Sequence, residues 1–137
     1  MQQLIQITDQ LRSAGRRITK IRKTILQIFL KKNTPVSIAE LLAEFRKQKI
    51  SVNKTTLYRE VRFLKEENLL HEIRLSERSV RYESTLSNHH HHFICIKCKN
   101  IEDVELRQDL EIEEKILEKN KKIKILRHSL EFFGLCK

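Results

Sequence analysis

Leu69-Leu70-His71-Glu72-Ile73-Arg74-Leu75-Ser76-Glu77-Arg78-Ser79-Val80-Arg81-Tyr82-Glu83 is the stretch that decides the fold of the N-terminal part. Residues 69–75 alternate in the manner of a strand. Ser76-Glu77-Arg78-Ser79 is a polar turn, and Val80-Arg81-Tyr82-Glu83 returns as a second strand. A β-hairpin is expected here, with Arg74, Arg78 and Arg81 decorating it.

Working back from the hairpin, helical spacing dominates. Leu57, Val61 and Leu64 recur on one face of a helix expected over about residues 54–67, which Asn53 can cap. The other face carries Lys54, Thr55, Tyr58, Arg59, Arg62 and Lys65. Cations for phosphates, with hydroxyl and aromatic groups among them, suit a helix that reads DNA. Taken alone, that face equally suits an ordinary amphipathic helix in water. Upstream, Ser37-x-x-Glu40 is a capping box for a helix with Ile38, Leu41, Leu42 and Phe45 inward. Asn33-Thr34-Pro35 breaks the preceding helix, 20–31, and Gly15 ends a first helix over 3–14. Helices followed by a hairpin predict a winged helix-turn-helix, with the third and fourth helices as the helix-turn-helix pair.

Working forward, Ser84 to Asn88 is a polar hinge, followed by His89-His90-His91-His92-Phe93-Ile94-Cys95-Ile96-Lys97-Cys98. Imidazole and thiolate are the ligands that divalent transition metals prefer. An expression tag sits at a terminus, whereas this run is internal. A redox dithiol wants its first thiol at a helix N-terminus, whereas Phe93–Ile96 is expected to be a strand. Metal ligation is therefore the favoured reading over a solvated loop or a redox pair. If the run is extended, His90 and His92 face one way and His89 and His91 the other. A strand over 101–105, a helix over 108–120 and a last strand over 123–133 complete an α+β unit with few core residues. Such a unit is expected to finish its core against a second copy.

Charge separates the two parts. Residues 1–86 hold 18 Lys and Arg against 9 Asp and Glu, whereas residues 87–137 hold 10 against 9. The positive excess of the first part points to a polyanion, most simply nucleic acid. Three cysteines, two of them as C-x-x-C, suggest a metal framework and not disulfides. With no secretory signal and no apolar run long enough to span a bilayer, a cytoplasmic location without membrane contact is expected. An enzyme would need a substrate cleft and a general base beside an open metal position. Nothing in the sequence suggests them, so neither catalysis nor a small-molecule substrate is expected.

The chain resembles the ferric uptake regulator family of metal-dependent transcriptional repressors. The resemblance rests on Ala14-Gly15-Arg16-Arg17-Ile18-Thr19 with Arg22, on Thr55-Thr56-Leu57-Tyr58-Arg59, on the His89–Cys98 stretch, and on His128-Ser129-Leu130-x-x-x-Gly134-x-Cys136. It implies an α+β fold: a winged-helix DNA-binding domain over 1–86 and a small α/β metal-binding dimerisation domain over 87–137. It also implies a homodimer on double-stranded operator DNA. Arg17, Thr55, Tyr58, Arg59 and Arg62 are the implied DNA contacts. Glu83, His90, His92 and Asp103 would form the sensory metal site, and His89, His91, Glu111 and His128 a second site. Cys95, Cys98 and Cys136 would hold a structural zinc. The regulatory metal would be Fe(II), Mn(II) or Zn(II). The alternatives are a structural-zinc protein that binds DNA regardless of the sensed metal, and a peroxide-sensing member of the same family. This chain departs from the pattern at Pro35, where many members place one more ligand histidine, and it carries three of the usual four zinc cysteines. Asp103 stands where iron sensors often have Glu and peroxide sensors Asp.

Overall fold

The computed structural model describes residues 1–137 apart from Asn88, His89 and Asp109. It divides into two compact units, Met1–Ser87 and Asn88–Lys137.

The first unit contains helices α1 (Gln2–Ser13), α2 (Lys20–Lys31), α3 (Ile38–Lys47) and α4 (Lys54–Glu66), then strands β1 (Leu70–Ser76) and β2 (Ser79–Ser84). The starts of α2, α3 and α4 each have a local cause. Thr19 accepts from the backbone N–H of Arg22, Ser37 and Glu40 form a reciprocal capping box, and Asn53 accepts from Thr56. Three helix ends share another device. Gly15, Lys49 and Asn68 adopt left-handed φ, and the next residue bonds back five positions: Arg16 to Leu11, Ile50 to Phe45, Leu69 to Leu64. This is the Schellman arrangement, which satisfies the last carbonyls and turns the chain sharply. It closes α3 and α4 at fixed positions and so sets the geometry of the helix-turn-helix.

The periodic apolar positions meet in one core. Leu4, Ile7, Leu11, Ile25, Phe29, Leu41, Phe45, Leu57, Val61 and Leu64 are all buried in it. β1 and β2 pair antiparallel, and Val36 forms an isolated bridge with Tyr82 on the free edge of β2. Lys65 Nζ meets Glu72 Oε2 at 2.6 Å and ties α4 to β1. Arg81, expected to decorate the hairpin, lies on β2 but is half-buried. Its Nη1 donates to both oxygens of Glu40, at 3.0 and 2.8 Å, and to the carbonyl of Pro35 at 3.1 Å. The neighbouring carboxylate pulls this arginine inward, where it clamps the hairpin to the start of α3.

The second unit contains β3 (His91–Cys95), β4 (Ile101–Val104), α5 (Glu111–Lys121) and β5 (Glu131–Gly134), with sheet order β4-β3-β5. β3 pairs antiparallel with β4 and parallel with β5. The last strand is shorter than the 123–133 expected. Side chains of α5 hold the intervening segment instead: Glu118 Oε1 accepts from Ile125 N at 2.7 Å, and Glu114 bonds His128. Gly134 has a steric role. A Cβ there would lie 3.0 Å from Cε2 of Phe93, so glycine lets β5 close against β3.

Candidate metal centre and nucleic-acid interface

In the second unit, the histidine run splits by direction. β3 begins at His91. His90 and His92 converge, with Nε2 atoms 3.1 Å apart and rings edge to face. Asp103 lies opposite His92 in the β3–β4 ladder, which brings its Oδ1 to 3.7 Å from His90 Nε2 and 3.9 Å from His92 Nε2. Two N/O ligands of one first-row ion, each bonded at about 2.0–2.2 Å, stand roughly 3 Å apart. The imidazoles already have that separation, and Asp103 is an exposed side chain a small rotation away. These donors fit a divalent metal.

His91 faces the other way. Its ring stacks on His128, with centroids 5.5 Å apart and planes 23° from parallel. His128 Nδ1 is bonded to Glu114 Oε1. The sequence pointed to Glu111, one helical turn earlier; here it is exposed and meets Lys115 at 3.1 Å. Glu114 is thus a donor that the sequence reading missed. The acidic first turn of α5, Glu111, Glu113 and Glu114, was the available signal, but it does not by itself place Glu114 beside His128. His89 lies outside the described residues.

The cysteines form the other group. A tight turn follows Cys95: Lys99 adopts φ 63° and donates to the Cys95 carbonyl at 2.9 Å, while Cys98 N points at Cys95 Sγ at 3.5 Å. Cys136, two residues beyond Gly134, completes a set whose sulfurs all lie within 4.8 Å of one another. Cys98 Sγ and Cys136 Sγ are 3.6 Å apart. Zn–S bonds of about 2.3 Å at the tetrahedral angle would separate two sulfurs by roughly 3.8 Å. The trio therefore fits zinc. Backbone N–H groups of Cys136 and Cys98 hold the Cys95 thiol down at about 6, while hydrogen bonding with Cys95 and then Cys98 pushes Cys136 up to about 11. One thiolate is thus favoured in advance, and a cation is what would hold three.

In the first unit, α4 presents Thr55, Tyr58, Arg59 and Arg62 to solvent, and buries Leu57, Val61 and Leu64. Arg62 makes an exposed pair with Glu66 at 3.2 Å, a contact weak enough for a phosphate to displace. Lys54, Tyr58 and Arg78 line a cleft of about 290 Å³ that also takes in Ser37 and Ile38 at the start of α3. Arg17 is exposed, and its backbone is anchored to α4 through Arg22. Arg22 Nη1 donates to the Arg17 carbonyl at 2.5 Å, and the guanidinium grips Glu60 with two bonds, at 2.8 and 3.2 Å. The same guanidinium lies 3.7 Å above the Phe63 ring. Arg22, Glu60 and Phe63 thus position the basic connector beside the exposed face of α4, and no local pattern in the sequence joined them. Glu83 also belongs to this unit. It is buried on β2, with Oε2 3.3 Å from Nε2 of His71.

Comparisons with known proteins agree with one another. The model of the ferric uptake regulator family matches residues 13–133. The peroxide-responsive repressor PerR of Staphylococcus aureus is 28% identical over 127 residues, which cover 93% of this chain and 84% of that protein. The ferric uptake regulator Fur of Helicobacter pylori, whose structure is described as revealing three functional metal-binding sites, superposes with a TM-score of 0.75 at 27% identity. That match covers 98% of this chain and 89% of that one. The Campylobacter jejuni peroxide stress regulator superposes with a TM-score of 0.71 at 26% identity, covering 100% and 98%. With residues 13–133 matched by the family model, its helix-turn-helix and its converging imidazole and thiol groups, the chain belongs to the ferric uptake regulator family.

Proposed function

We propose that this chain is a metal-responsive transcriptional repressor that binds operator DNA as a homodimer when a divalent metal occupies its sensory site. The observation that carries the reading is the convergence of His90, His92 and Asp103 within 3.9 Å of one another in the second unit. In this reading Glu83 supplies the ligand from the winged helix. Cys95, Cys98 and Cys136 hold a structural zinc, and His89, His91, Glu111 and His128 hold the second site, with Glu114 bonded to His128 beside them.

A divalent ion, when bound, supplies concentrated positive charge that carboxylates and imidazoles of different segments can share. Glu83 would hold it from β2, and His90, His92 and Asp103 would hold it from the second unit. This bond would restrict how each winged helix is held, so that two recognition helices fit the spacing of a two-fold operator. Its effect on DNA affinity equals the difference in metal affinity between DNA-competent and other states. Tyr58 and Arg59 would meet bases, Arg62 and Thr55 the backbone, and Arg17 the minor groove. A second copy is supported by apolar surface on the C-terminal unit: Ile112, Leu126, Phe133 and Leu135 are each more than half exposed. Among the described residues no helix is long and apolar enough to cross a membrane.

The test is DNA binding by zinc-loaded protein titrated with Fe(II), Mn(II) or Zn(II). His92→Ala should abolish metal stimulation while leaving the fold intact, and Tyr58→Ala should relax sequence preference. DNA affinity that ignores every metal would instead select a constitutive zinc-stabilised binder. A peroxide-sensing role draws support from the S. aureus relative and from Asp103 in the ligand set. Loss of DNA binding on peroxide treatment of Fe(II)-loaded but not Mn(II)-loaded protein would select it.

A further inference from the structure

The wing offers a second ligand beside Glu83. His71 and Glu83 are direct partners across the β1–β2 ladder, so their side chains leave the same face of the hairpin. Nε2 of His71 stands 3.3 Å from Oε2 of Glu83. That is the separation of two N/O ligands of one first-row ion, at bonds of about 2.0–2.2 Å. His71 is the one histidine among residues 1–87. It is 30% exposed while Glu83 is 2% exposed, so the imidazole edges toward solvent and the carboxylate is sunk behind it. A neutral imidazole can donate to a buried carboxylate but leaves its charge in place, whereas a shared divalent cation neutralises it.

The start of α3 offers no such donor. Pro35 is buried, its carbonyl accepts from Arg81, and Val36 is locked to Tyr82 by two backbone bonds of 2.8 Å. The hairpin base is equally fixed, because Thr85 bonds the Leu69 and Asn68 carbonyls. His71 and Glu83 therefore sit on a rigid ladder whose register sets their spacing before any ion arrives. We propose that His71 is a ligand of the regulatory metal, so that the winged helix grips it through a paired imidazole and carboxylate on the two strands of the wing. The proposal rests on the reading of Glu83 as a sensory ligand. It makes the hairpin, and not the start of α3, the element through which metal reaches the DNA-binding surface.

The experiment uses full-length zinc-loaded protein titrated with Co(II) in competition with a chelator. It also counts hyperfine-shifted exchangeable imidazole N–H signals by proton NMR. His71→Ala and His71→Gln should each weaken Co(II) binding by about tenfold or more and remove one such signal. Glutamine can still donate to Glu83, so it separates ligation from mere orientation of the carboxylate. If His71→Gln keeps wild-type affinity while His71→Ala loses it, His71 only positions Glu83 and the proposal is overturned. If both variants keep affinity and signal count while His92→Ala loses them, the proposal fails and the sensory site stands. If His92→Ala and Glu83→Ala also leave Co(II) affinity intact, the reading beneath it fails as well.

Discussion

The two units are built on different principles. Among the described residues, the buried apolar side chains lie almost entirely in Met1–Ser87; Ile94 and Cys95 are the ones in the second unit. The first unit has α3 and α4 capped at both ends and a core to which every helix contributes. The second has a three-stranded sheet and a helix with no buried residue. A few buried side chains contribute only a few kcal/mol, at about 1.5–3 kcal/mol each, against an ordering cost of about 1–2 kcal/mol per residue. The first unit can be held by its own core, whereas the second has too few buried side chains to be held by them alone. The contrast suits the proposed sensor: the reading head would stay folded, and the part that metal completes would be the part that reports metal.

The most severe way to break this contrast is to remove the zinc. Cys98→Ser should unfold the second unit, because structural zinc contributes on the order of 10 kcal/mol in small sites. Hydrogen exchange should show lost protection in residues 91–134 with the first unit unchanged, and zinc content should fall. Uniform protection in the variant would mean that the second unit has a sufficient core of its own.

The complementary experiment attacks the first unit. Phe45 is fully buried in its core, and Phe45→Ala should cost about 3–5 kcal/mol. Urea unfolding followed by hydrogen exchange should place the loss in residues 1–87, with zinc retained. A variant that released zinc would show that the units stabilise one another.

A smaller effect sharpens the account of the zinc turn. Lys99 adopts a left-handed φ of 63°, which strains a residue with a side chain. Lys99→Gly should stabilise the holoprotein by about 1 kcal/mol. The thermal midpoint should rise with zinc bound and stay unmoved after chelation; a rise in both states would place the effect elsewhere.

The smallest expected change depends on pH and belongs to the first unit. Burial pushes the Glu40 carboxyl up, but the Ser37 backbone N–H and the Arg81 guanidinium together outweigh it and leave it below its ordinary value of 4.5. A carboxyl depressed in the folded state contributes stability above the unfolded value, and loses it as pH falls through the folded one. The first unit should weaken as pH drops below 4.5, and Glu40→Gln should flatten that slope. Urea midpoints from about pH 6 to about pH 3 measure it. An unchanged slope would leave the Arg81 clamp without an electrostatic role.

Local chemistry carried much of this protein in its sequence. Leu57, Val61 and Leu64 define a helix face by spacing alone, Ser37 and Glu40 announce a helix start, and alternating residues around Ser76–Ser79 announce the hairpin. These signals are legible because each depends on neighbours a few positions apart. Cys95 and Cys98 belong to the same class, since one turn brings them together. Tertiary structure decided what depends on distant partners. Arg81 turns inward because Glu40 waits there, 41 residues away. Glu114 meets His128 because the segment after the helix folds back along it. Arg22 reaches from α2 to Glu60 and Phe63 on α4, and His71 faces Glu83 only once the ladder has fixed its register. Spacing along a chain specifies which side of an element a residue occupies; only packing between elements specifies what it meets there.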